Sequence, residues 1–163
     1  MDVVEQFPNS NWLIFAVLFI LVMFYLVYMR QRESKRIADK FDKNEIIITS
    51  FGVNYYGLES EPGGPLRSAG ALVLLKHGIY YRARYAKREL LIPGSAITYI
   101  GVTNVHKGKD LHQPVVVLQF LSQDGREDKA AFRVPYPAQW IAAIKSNLLE
   151  KEAAAPKKPQ DTG

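Results

Sequence analysis

The sequence predicts two parts in tandem: an N-terminal transmembrane α-helix, then a mainly β domain of seven strands closed by one C-terminal α-helix. Three observations carry this. Trp12 to Met29 runs for 18 residues without a charge, a glycine or a proline. Beyond Glu45, short runs rich in Ile, Val, Tyr and Leu alternate with turn signals at intervals of about eight to twelve residues, the pattern of an antiparallel β domain. After them Trp140, Ile141, Ile144 and Leu148 recur at helical spacing on one face.

The apolar run comes first. At about 1.5 Å per residue it is roughly 27 Å long, close to the ~30 Å hydrocarbon core of a bilayer. Twelve of its residues are Leu, Ile, Phe or Val, each contributing about −0.3 to −0.6 kcal/mol to insertion at a helix centre, roughly −4 to −7 kcal/mol together. Leu21 sits near its midpoint. A cleaved signal peptide would need a basic flank before the run and a small-residue cleavage site after it, whereas MDVVEQFPNSN precedes and RQRESKR follows. No Lys or Arg lies before the run, while Arg30, Arg32, Lys35, Arg36, Lys40 and Lys43 lie after it. The positive-inside bias therefore predicts a single-pass protein of the cytoplasmic (inner) membrane, N-terminus out and C-terminal domain in the cytoplasm. Trp12 at one end and Tyr25 and Tyr28 toward the other suit the headgroup level.

The expected boundaries are a short extracytoplasmic stub over 1–11, the transmembrane helix over 12–29, a basic helical linker over 30–44, the β domain with its helix over 45–150 and a disordered tail over 151–163. The stub ends in Pro8-Asn9-Ser10-Asn11, which supplies an N-cap oxygen. The linker is rich in good helix formers, and its basic residues, Arg30, Arg32, Lys35 and Arg36 foremost, are the flank such an anchor carries, with anionic-lipid attraction as the functional alternative. A net charge of +5 and a pI near 9.4 fit that topology. The chain has no cysteine, which excludes disulfides, thiolate metal sites and cysteine nucleophiles.

Strands are expected over Ile46 to Tyr56, Ala71 to Lys76, Ile79 to Tyr85, Lys87 to Ile92, Ile97 to Val105, Pro114 to Leu121 and Asp128 to Val134. His77-Gly78 and Asp124-Gly125 read as tight hairpins, and Pro93-Gly94 ends the fourth strand. Residues 59–65 and 107–113 read as polar, mobile loops. Pro137 suits the first turn of the closing helix, and the tail, with Pro156, Pro159 and three lysines, holds no large apolar residue.

Gly70-Ala71-Leu72-Val73-Leu74, Gly78-Ile79-Tyr80-Tyr81, Leu91-Ile92-Pro93 with Ile97, and Pro137 to Trp140 with Ile144 together resemble the pleckstrin-homology (PH)-like superfold, in particular its GRAM and bacterial PH-like branch. The resemblance covers roughly residues 46–149. It implies a seven-stranded partial barrel capped by the C-terminal helix, with Trp140, Ile141, Ile144 and Leu148 as the plug. Family members that bind phosphoinositides use basic residues on the first two strands and their connecting loop. Here that loop is ESEPGGPLRS, with two glutamates and one arginine, so phosphoinositide binding is disfavoured. A basic alternative lies one hairpin on: period-two alternation sets Ile79, Tyr81, Ala83 and Tyr85 on one face and Tyr80, Arg82 and Arg84 on the other, with Lys87 and Arg88 following. These five, Tyr80, Arg82, Arg84, Lys87 and Arg88, are the candidate partner or lipid contacts.

Catalytic equipment is not legible. No nucleophile is paired with a base, and no carboxylate pair stands on rigid elements. His106, Asp110 and His112 are near in sequence, but Lys107 and Lys109 between them would repel a cation. Gly63-Gly64 lacks the lysine and helix of a phosphate loop. The expected function is therefore a non-catalytic module without cofactor or metal that recruits or scaffolds proteins at the cytoplasmic membrane face, as an accessory subunit of a larger integral membrane complex. Its expected partners are the membrane it spans and an integral membrane or cytoplasmic protein, with anionic lipids as a second class and no nucleic acid. The alternative is an anionic-lipid or ligand sensor using the basic hairpin face.

Overall fold

The computed structural model describes residues 11–150; residues 1–10 of the expected stub and the tail over 151–163 lie outside the described residues. Along the chain these residues form two units that divide between Lys40 and Phe41.

The first unit is helix α1, Asn11–Ala38. It begins one residue before the expected run and continues through the basic stretch to Ala38, as the propensities of Arg, Gln, Glu and Lys favour. Among the described residues it is the one helix long and apolar enough to cross a membrane. Trp12, Leu21, Tyr25 and Tyr28 are all at least half exposed.

The second unit is built on seven antiparallel strands: β1 (Ile46–Leu58), β2 (Ser68–Leu75), β3 (Gly78–Ala83), β4 (Glu89–Pro93), β5 (Ile97–His106), β6 (Lys109–Leu121) and β7 (Glu127–Arg133). They form one open sheet in the order β4-β3-β2-β1-β7-β6-β5. The 13-residue β1 serves both halves: Ile46 to Tyr55 pair with β2, and Asn54 to Leu58 with β7. It bends to do so, with register shifts between Phe51 and Val53 and between Tyr55 and Leu58. Each shift contains a glycine in the left-handed region, Gly52 at φ 74° and Gly57 at φ 90°, where a side chain would be strained. Two β layers therefore fold over one core from a single bent strand.

That core holds Tyr55, Leu72, Leu74, Tyr81, Ile92, Ile100, Leu118 and Phe132, with Trp140, Ile144 and Leu148 from the C-terminal segment. Tyr55 and Phe132 stack with centroids 5.1 Å apart, and Tyr81 tilts against Tyr55 at 4.8 Å. Burial pushes the Tyr55 hydroxyl up to about 12, so it stays protonated. Helix α2, Pro137–Ile144, continues as one π-helical turn, Lys145–Leu149. Ile141 is half-buried against the core, and Leu148 packs on Gly94, where a Cβ would lie 3.1 Å from its methyl carbon.

Every expected strand exists, and three turns differ. The β2–β3 hairpin closes through Lys76 and His77, since Gly78 already pairs with Leu75. Residues 122–126 close β6 to β7 as a longer loop, with the Ser122 N–H donating to the Arg126 carbonyl at 2.8 Å. The expected loop over 107–113 is a correction: β5 turns into β6 through Lys107 and Gly108 alone. Both have positive φ, 53° and 69°, the backbone of a two-residue hairpin matched to strand twist. The surplus residues form a bulge in β6, where Thr103 pairs with Val115 but Val105 with Asp110. Leu111 in that bulge covers Tyr56, Val115 and Ala131 on the outer sheet face.

Candidate functional site

The residues of the basic hairpin predicted from the sequence have different surroundings. Tyr80 is buried, only 2% exposed, with its ring edge-on to Phe41 at 4.9 Å, so it is not a contact for an outside partner. β3 ends at Ala83, so Tyr85 leaves the core face and stands 76% exposed. Arg82 pairs with Glu89 of β4 at 3.3 Å. The Arg84 N–H donates to the Ala69 carbonyl, and Lys87 is exposed in the turn. Arg88 lies over the Tyr55 ring, 5.2 Å from its centroid, and forms an ion pair with Glu61.

Glu61 comes from the β1–β2 loop, and that loop is tied down. Its carboxylate also accepts from the Leu58 N–H at 3.2 Å, and its carbonyl accepts from Lys107 Nζ at 2.8 Å. Asp128 accepts from the Ser60 N–H at 3.1 Å and from its hydroxyl at 2.5 Å. Arg67 donates to Asn54 at 2.9 Å. The acids of ESEPGGPLRS thus hold the basic groups of neighbouring turns, and the charge of this end of the sheet is largely spent internally.

His106 ends β5 and is buried, with Nε2 2.9 Å from the Gly57 carbonyl and Nδ1 3.4 Å from Glu59. Burial holds its imidazole below the usual range, against the pull of the Gly57 carbonyl and of Glu59. His112 and Asp110 lie in the β6 bulge and bond to one another. The three do not converge, and among the described residues no group of three or more His, Asp or Glu is placed to hold a metal.

The feature that sequence reasoning missed is a cleft of about 370 Å³ on the outer face of β5, β6 and β7. Tyr99, Val105 and Val117 give it an apolar wall, and Glu59, Lys107, Gln119 and Lys129 a polar rim. Strand register assembles it, since Tyr99 pairs with Gln119 and Gln119 with Lys129. Tyr99 lies along the backbone of Gly101, where a Cβ would meet its hydroxyl at 2.3 Å. Tyr99 and Val105 are each at least half exposed. The signal was present as the uncharged run ITYIGVTNV, but only the register shows that its outward side chains meet those of β6 and β7.

No protein-family model and no curated protein matches the chain. Solved structures do. A chain of the 8S snRNP assembly intermediate aligns with a TM-score of 0.51 at 9% identity, over 74% of this chain and 92% of that one. The Vps36 N-terminal PH domain aligns with a TM-score of 0.50 at 16% identity, over 69% of this chain and 85% of that one. The likeness shows a PH-like fold.

Proposed function

We propose that this chain is a single-pass membrane protein whose PH-like domain, without catalytic activity, recruits or scaffolds protein at the cytoplasmic face of the inner membrane, as an accessory subunit of a larger integral membrane complex. The observation that carries this reading is the outer cleft of β5–β7, where Tyr99 and Val105 stand exposed beside a polar rim. Exposed aromatic and aliphatic groups ringed by polar ones are the usual composition of a protein contact. The anchor reading rests on the length and apolar composition of α1 and on the basic residues that follow Met29. Confinement to a bilayer raises the effective concentration of anything else held there, so a small contact suffices. Within the run only Ala16 is small, which gives close helix packing little to work with and leaves partner choice to the β domain.

A headgroup sensor on Arg82, Arg84, Lys87 and Arg88 has less support, because Arg82 and Arg88 already face Glu89 and Glu61. The test is a photo-crosslinking residue at Tyr99, and separately at Val117, in the full chain in its native membrane. Protein adducts at both positions, absent from a control at Lys87, are expected. Adducts with lipid alone would overturn the reading.

A further inference from the structure

The open sheet has two edges, and they are protected unequally. β4 is five residues long, opens with Glu89 and closes with Pro93. A short length, a charge and a proline are common devices that keep an edge from pairing with another chain. β5 is ten residues long, and from Ile97 to Val105 it contains neither a charge nor a proline. Thr98, Tyr99, Val102, Asn104 and Val105 are exposed. Beyond the ladder to β6, the Val105 N–H and carbonyl are engaged by the Thr103 hydroxyl at 3.1 and 3.3 Å, which limits what another strand could use to the stretch before it.

We infer that the β5 edge pairs with the β5 edge of a second copy, antiparallel about a two-fold axis at Gly101, so that two domains share one continuous sheet. The inference rests on the interaction-module reading and names the partner that occupies this edge. Gly101 is the midpoint of the uncharged run Ile97–Val105. Between the register shifts at Thr98 and Asn104 the stretch 99–103 is regular, and pairing about Gly101 sets Ile100 against Val102 and Tyr99 against Thr103. A charged strand meeting itself would set like charges close together; this one has none to oppose. The arrangement is closed, because the two-fold uses both unprotected edges and leaves only the guarded β4 edges. The five residues of ladder make a small interface by the ~1,200 Å² standard of free association, and tethering both copies in one bilayer supplies the missing concentration.

The absence of cysteine makes the test clean. Tyr99→Cys with Thr103→Cys is introduced into the full chain in nanodiscs and mildly oxidised; the expected product is a covalent dimer of twice the single-chain mass, while Leu91→Cys on the β4 edge gives none. Val102→Lys, which sets two cations across the axis, is expected to abolish the dimer in the crosslinkable background and in non-covalent mass measurements. A monomer that crosslinks through β5 to a different protein in native membranes would overturn the inference and leave the interaction module standing. A monomer with no protein adduct on β5 or on the outer face would overturn both.

Discussion

The indole N–H of Trp140 donates to the Ser50 hydroxyl at 3.3 Å, joining the closing helix to the first strand across the end of the β core. Trp140 is 3% exposed and packs in the same cluster as Tyr55, Leu118 and Phe132. Trp140→Ala therefore removes a large buried ring and is expected to cost about 3 to 5 kcal/mol. Trp140→Phe keeps most of the packing and strands the Ser50 hydroxyl, a loss of about 1 kcal/mol. Urea unfolding of the chain in detergent, followed by circular dichroism, separates the two; equal midpoints for both variants and the parent would refute the plug.

Gly70 makes a second sensitive point, for a different reason. A Cβ there would lie 2.1 Å from the Arg82 carbonyl oxygen and 2.8 Å from the Tyr81 ring. Neither can withdraw easily, since Gly70 pairs with Ala83 and the Tyr81 hydroxyl donates to the Ser68 carbonyl. Gly70→Ala is expected to destabilise the domain by about 1 to 3 kcal/mol through overpacking, read as a lowered urea midpoint with an unchanged slope.

These two positions illustrate how far the fold was legible. Hydrophobic alternation and the Gly-containing turns located all seven strands, and the spacing of Trp140, Ile144 and Leu148 identified the inward face of the closing helix. What failed was information carried by tertiary partners. Nothing local announces that Lys107 adopts a positive φ, so a tight hairpin read as a long loop. The acids that neutralise Arg82 and Arg88 come from β4 and from a loop 27 residues away. Tyr80 alternates outward as expected, yet Phe41 covers it. The outer cleft depends on the β5–β6–β7 register, which period-two reading of single strands does not supply.

His106 gives the domain a pH dependence whose sign follows from burial. Its folded-state imidazole is held below the ordinary 6.5 by burial first, with Lys107 adding to the effect and the Gly57 carbonyl and Glu59 opposing it. The unfolded chain therefore takes up the proton first as pH falls. The stability linked to this group is complete above about pH 6.5 and is lost between there and the lowered folded value. Unfolding midpoints measured at about pH 7.5 and 5.5 are expected to fall on acidification, and His106→Gln, which keeps a donor for the Gly57 carbonyl, is expected to flatten that interval. A midpoint that rises on acidification would contradict the assignment.

Leu21 tests the anchor. An apolar residue near the centre of a spanning helix contributes about −0.3 to −0.6 kcal/mol and an arginine opposes insertion by about 2.5 to 3.5, so Leu21→Arg is expected to weaken insertion by roughly 3 to 4 kcal/mol. The readout is the share of the chain that resists alkaline extraction from membranes. Arginine at Met29, at the end of the run, is expected to leave that share unchanged because its side chain reaches the headgroups. Full retention of the Leu21 variant would remove the membrane from the proposal.

Arg88 and Glu61 decide between protein and lipid as the ligand of the domain. The pair sits over Tyr55, and the same glutamate holds the Leu58 N–H through its carboxylate and Lys107 through its carbonyl. With its cations engaged in this way, the segment 41–150 expressed alone is expected to sediment weakly with anionic vesicles, and Arg82→Glu with Arg84→Glu to change that little. Glu61→Gln leaves the loop the same size but withdraws the charge facing Arg88. Since a basic residue near an anionic surface contributes about 1 kcal/mol, the variant is expected to gain about fivefold in vesicle affinity at low salt. Strong vesicle binding by the parent segment, lost on reversing Arg82 and Arg84 while the outer-face crosslinks persist, would assign the hairpin to lipid and confine the protein contact to β5–β7.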